Sequence, residues 1–165
     1  MISWRVARRH VGLFVLILQV LPACGDDEGT PPDGPPPLFP ASYATTYQQV
    51  RNCRFSLEHD LVTMRVLAAP DAFTAYTGRT EPFPTGAILL KEQYDGADTT
   101  CAGPIIGITV MQKLDVGSSP DTLDWFWQET DENAHPIATD SMRCTRCHTA
   151  CGKAPDGYDG TCTIP

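Results

Sequence analysis

The sequence predicts a mainly β fold of the α+β class, an antiparallel β-sheet with a few helices. Four stretches carry the first observation: residues 61–69, 87–94, 105–114 and 123–129 have the branched and aromatic composition of strands. The second is what separates them. Residues 82–86 (PFPTG) and the Ser118-Ser119-Pro120 step are turn chemistry, and consecutive strands joined by short turns pair antiparallel. The third is a C-terminal helical stretch, residues 138–150, which contains Cys144-Thr145-Arg146-Cys147-His148.

Taken in order, Arg5, Arg8 and Arg9 precede an apolar run of about ten residues, Val11 to Val20, too short to span a bilayer and suited to a signal peptide. Leu21-Pro22-Ala23-Cys24 resembles a bacterial lipobox, so residues 1–23 are expected to be removed and Cys24 to carry lipid. The mature chain is then expected in the cell envelope, on the periplasmic or outer-surface side. Residues 24–40, rich in Pro, Gly and Asp, read as an extended tether. The remaining domain is residues 41–165.

Within that domain, residues 41–53 predict a helix, with Tyr43, Tyr47 and Val50 recurring on one face. Residues 61–69 predict a strand. Pro70-Asp71 then begins a short helix capped by Asp71 and closed by Gly78. Residues 87–94 form the next strand, with Ala87, Leu89 and Lys91 on one face and Ile88, Leu90 and Glu92 on the other. After a polar loop, residues 105–114 place Gly107, Thr109 and Met111 on one face and Ile106, Ile108 and Val110 on the other. Residues 123–129 place Trp125 and Trp127 side by side, and the helix over residues 138–150 follows.

Cys-X-X-Cys-His is the attachment signature of a c-type haem. Its spacing lets two thiols on one helical turn, Cys144 and Cys147, reach the vinyl groups of one porphyrin, with His148 directed at the iron as the metal ligand. With Cys24 assigned to lipid, Cys53, Cys101, Cys151 and Cys162 remain. An exported location favours two disulfides among them. Three pairings are open, and Cys151–Cys162 with Cys53–Cys101 is favoured. The competing reading is a zinc site of Cys144, Cys147, His148 and Cys151, although adjacent Cys147 and His148 make a tetrahedral cluster awkward.

Residues 83–92 (FPTGAILLKE), 105–113 (IIGITVMQK), 124–127 (DWFW) and the CTRCH motif, in this order, resemble the cytochrome P-460 family, which includes the related cytochromes c′-beta. The resemblance covers about residues 41–150. It implies a homodimer of sheet-based subunits with one five-coordinate c-type haem each. It also implies hydroxylamine oxidation in catalytic members and nitric oxide binding in the c′-beta members. Lys91 falls at the place of the family's porphyrin-linked lysine, with a solvated strand lysine beside Glu92 as the competing reading. Thr109 stands where the catalytic members have a distal carboxylate, and a threonine cannot act as a base at neutral pH. Lys91 and Thr109 are therefore the candidate catalytic residues. Glu92 and Asp115 are the alternative sources of a base.

The chain has a net charge of −8, and loss of the three arginines of residues 1–23 leaves nine basic against twenty acidic residues, or −11. That balance argues against nucleic acid as a partner. A small ligand (hydroxylamine or nitric oxide) and a periplasmic redox partner are expected. Two other function classes stand beside this one. In a six-coordinate electron-transfer cytochrome, Met111 or Met64 would close the iron. In a haem-free structural lipoprotein, the two disulfides would be the stabilising device.

Overall fold

The computed structural model describes residues 34–155 and 157–162. The proposed leader, Cys24 and the first part of the tether lie outside the described residues.

Six strands form one sheet: β1 (Gln48–Ser56), β2 (Val62–Ala68), β3 (Ile88–Tyr94), β4 (Gly107–Lys113), β5 (Trp125–Thr130) and β6 (Pro136–Thr139). They lie in chain order and every neighbouring pair is antiparallel. Among the described residues three helices accompany them, α1 (Tyr43–Thr46), α2 (Pro70–Gly78) and α3 (Met142–Cys151), with a 3-10 turn at Pro120–Thr122. The mainly β prediction holds.

Two elements differ from the sequence reading. Residues 41–53 do not form one helix: α1 ends at Thr46 and the chain passes into β1. The Tyr43, Tyr47 and Val50 spacing fits a helix, but a 13-residue helix in isolation is marginal. Pairing with β2 and the Cys53–Cys101 disulfide give the segment a tertiary reason to extend instead. Register shifts between Gln49 and Arg51 and between Arg51 and Arg54 blur its period of two. The second difference is β6, which occupies residues assigned partly to the last helix. It is short, opens on Pro136 and lies at the sheet edge, where a missing N–H costs no ladder bond. The helix accordingly starts at Met142.

Asp71 is not the cap of α2. Ala69 holds that position without a side-chain hydrogen bond, and Asp71 lies in the first turn, where its charge suits the helix dipole. Gly78 is the last helical residue, and Arg79 takes the left-handed turn at φ 50.

The alternation along the strands sorts the side chains into two layers. On one face Ala68, Leu89, Met111, Trp125 and Trp127 pack with Ala72, Ala75 and Tyr76 of α2. Cys144 of α3 and Tyr158 join the same cluster. On the other face Leu67, Leu90, Ile108 and Val110 pack with Phe39, which is 5% exposed. The chain entering the domain is bonded to this face: Leu38 N–H donates to Gln128 Oε1 (2.9 Å), and Gln128 Nε2 donates to Pro36 O (3.1 Å). Glu92 also belongs here, 1% exposed, accepting hydrogen bonds from Arg65 and from the Tyr94 hydroxyl. Burial and that contact push the Tyr94 phenol above its ordinary value.

Both favoured disulfides are present. Cys53–Cys101 ties β1 to the loop before β4, and Cys151–Cys162 ties the end of α3 to the C-terminal segment. Cys144 and Cys147 have no disulfide partner.

Candidate functional site

Register decides which side chains meet. Val66 pairs with Lys91, Lys91 with Thr109, and Thr109 with Glu129, so one row of the first face runs across β2 to β5. Met64, Gln93, Met111 and Trp127 lie on the same face, and α3 lies over it. Between helix and sheet is a cavity of about 730 Å³, within the range of about 300–1,000 Å³ typical of cofactor sites. Lys91, Thr109, Cys144, Cys147 and His148 all line it. The structure therefore brings together every site residue named from the sequence. Glu92 is excluded as the missing base because it faces the opposite layer, and Asp115 does not line the cavity.

His148 is 9% exposed and its pose is over-determined. Its Nδ1–H donates to Gly160 O at 2.7 Å, which leaves the Nε2 lone pair directed inward. The Trp127 ring lies 5.9 Å away, centroid to centroid. Gly160 itself is held from behind. Trp125 Nε1–H donates to Asp159 O (2.8 Å), and Lys113 Nζ donates to Asp159 Oδ1 (2.6 Å). At Gly160, φ is +84 and a Cβ would come within 2.5 Å of Trp125 Nε1, so only glycine fits that close approach. The Cys151–Cys162 bridge closes the same segment onto the helix.

Electrostatics favour uncharged bases in the cavity. Burial, then the charge of Lys91, brings the His148 imidazole down to about 3. The same two causes bring His59 down to about 4. Burial lowers the Lys91 ammonium to about 8. Burial and the neighbouring Glu129 carboxylate raise the Cys144 thiol to about 11, with Sγ donating to Glu129 Oε1 at 3.4 Å. That thiol is therefore not an activated thiolate nucleophile.

His59 and Glu129 are cavity residues that the sequence reading missed. Glu129 had a signal, since it continues the Trp125 and Trp127 face by period two. His59 had none, because its position depends on the course of the β1–β2 turn.

These residues suit a haem better than zinc. Cys151 is in a disulfide, and among the described residues no group of three or more His, Cys, Asp and Glu side chains could hold a metal ion. An oriented imidazole, two thiols without disulfide partners and the buried Trp127 Nε1–H, which has no hydrogen-bond partner, instead border one cavity of cofactor size. No curated protein matches the chain. The sequence profile of the family Cytochrome P460 matches residues 43–156. That span covers the sheet, α3 and the cavity between them, and the chain accordingly belongs to the cytochrome P460 family of haem cytochromes.

Proposed function

We propose that the protein is an exported mono-haem c-type cytochrome whose iron keeps an open position for a small nitrogen-oxide ligand. The observation that supports it most directly is the pose of His148, held at Nδ1 and facing through Nε2 a cavity that is also lined by two thiols outside any disulfide. In this reading Cys144 and Cys147 hold one haem covalently and His148 is its proximal ligand. When bound, the haem supplies an iron that takes up a small ligand and exchanges electrons.

The chain's own residues set the surroundings. Trp127 and Leu89 give the cavity an apolar wall, and Lys91 and Thr109 place an amine and a hydroxyl opposite each other on β3 and β4. An amine with its proton affinity lowered to about 8 is partly uncharged near neutral pH; a bond from it to a porphyrin edge would replace one N–H and one ring C–H, releasing two protons and two electrons to an external oxidant such as a peroxide. Lipid at Cys24, a homodimer and a periplasmic electron partner complete the proposal. With threonine at position 109, hydroxylamine oxidation should be slow by about the 10²–10⁴-fold that a positioned base contributes.

The test of the open site is spectroscopic. The ferric protein should be high-spin, the ferrous protein should take up nitric oxide or carbon monoxide, and Met111→Leu should change neither result. A second reading has an observation of its own: Met64 and Met111 both line the cavity. A low-spin spectrum that becomes high-spin in Met111→Leu would establish the six-coordinate electron-transfer cytochrome instead.

The state of Lys91 is read by mass. If Lys91 is bonded to the porphyrin, digestion should yield a haem adduct joining a Lys91 peptide to the CTRCH peptide, and Lys91→Ala should release the two. Separate peptides in the wild type would show that Lys91 is a cavity-wall amine only.

A further inference from the structure

The β1–β2 turn, residues 57–61, carries an imidazole that the proposed chemistry does not use. Asp60 and Leu61 take left-handed backbone angles, φ 59 and 60, and Asp60 forms an ion pair with Arg143 near the start of α3. The turn is thereby drawn towards the helix that carries His148. The His59 and His148 rings lie 6.5 Å apart, centroid to centroid. Lys91 Nζ sits against both, 2.8 Å from His59 Nε2 and 3.5 Å from His148 Nε2. With each Nδ1 turned to a partner on its far side, both Nε2 atoms are acceptors, and their lone pairs converge on the region of the cavity that Lys91 Nζ reaches in this structure and would yield to a ligand.

The far side of each ring is held. His148 Nδ1–H donates to Gly160 O. His59 Nδ1 is 2.8 Å from the buried Ser56 Oγ, and the Ser56 hydroxyl reaches the Glu58 carboxylate at 3.4 Å. A carboxylate–hydroxyl–imidazole chain selects the Nδ1–H tautomer and aims Nε2 inward, the same way an outer hydrogen bond orients a metal-binding histidine. Of the nearby carboxylates, Glu92 faces the opposite layer, and Glu129, which also lines the cavity, lies against Cys144 Sγ rather than against His59.

We propose that His59 Nε2 is the hydrogen-bond acceptor for a ligand at the haem iron, and that this site favours protic nitrogen ligands bearing N–H or O–H over aprotic gases. The inference rests on the haem reading above. It assigns the acceptor role to a turn imidazole, a stronger acceptor than the Thr109 hydroxyl, and it makes Ser56 a positioning residue acting through His59.

The experiment uses the full-length holoprotein. Hydroxylamine is titrated into the ferric form anaerobically without an electron acceptor, and carbon monoxide into the ferrous form, for wild type, His59→Leu, His59→Gln and Ser56→Ala. His59→Leu should weaken hydroxylamine binding about 3- to 10-fold, the worth of one hydrogen bond, and leave carbon monoxide affinity within about twofold. His59→Gln, which keeps an acceptor, should recover most of the loss, and Ser56→Ala should lose less than His59→Leu. Unchanged hydroxylamine affinity in His59→Leu, or an equal loss for both ligands, would overturn the proposal while the haem reading stands. A low-spin wild type that turns high-spin in His59→Leu would also overturn it, by making His59 an iron ligand. Purified wild type without haem would remove the underlying reading, an outcome distinguishable from the others before any titration.

Discussion

Cys144→Ser/Cys147→Ser, expressed with the cytochrome c maturation machinery, should fold and export normally yet carry no covalent haem, while the wild type keeps its haem stain on a denaturing gel. The structure makes this a clean experiment. Neither cysteine is in a disulfide; Cys147 is exposed and Cys144 only partly buried. Replacing sulfur by oxygen at those positions leaves no large cavity in the first layer, where Trp125, Leu89 and Met111 do the packing. The expected effect is therefore loss of the cofactor with little loss of fold, since the two disulfides and the sheet are untouched. The single variants separate the thiols. Each should retain haem through the remaining thioether at reduced yield. A double variant that still stains after denaturation when Lys91→Ala is also present would sink the attachment assignment.

Trp125→Ala should have the largest effect on stability, about 3–5 kcal/mol as for other buried aromatic truncations, measured by denaturant unfolding. Trp125 is 1% exposed and packs edge-on against Phe83 with ring centroids 5.1 Å apart. Lys113 Nζ lies 5.0 Å from its ring centre, and its indole N–H donates to Asp159 O. Against a typical total stability of about 5–15 kcal/mol the loss is a large share. It should also reach the site, because Asp159 precedes the glycine whose carbonyl holds His148. Trp125→Phe keeps most of the apolar area and removes the N–H. It should cost less in unfolding free energy and still broaden or shift the haem absorption bands. Equal spectra for wild type and both variants would show that the C-terminal segment does not set the pose of His148.

The parts of this protein legible in the sequence are those whose chemistry is local. Cys144, Cys147 and His148 sit within about one helical turn, so their spacing alone indicates the cofactor they suit. The alternation in residues 87–94 and 105–114 assigns Lys91 and Thr109 to the faces they occupy, because strand side chains alternate whatever the neighbour is. The favoured disulfide pairing held for a related reason: a short, glycine-rich loop between Cys151 and Cys162 brings those two together. Tertiary structure decided the rest. Residues 48–53 extend because β2 offers a pairing edge, which outweighs a helical spacing of Tyr43, Tyr47 and Val50. β6 forms because β5 offers Gln128 and Glu129 to Thr139 and Ala138. Glu92 is lost as a base, despite adjoining Lys91, because one residue's step along a strand turns a side chain to the other layer. His59 and His148 are far apart in the chain, and only the fold of the β1–β2 turn and its ion pair with α3 place both imidazoles against one lysine.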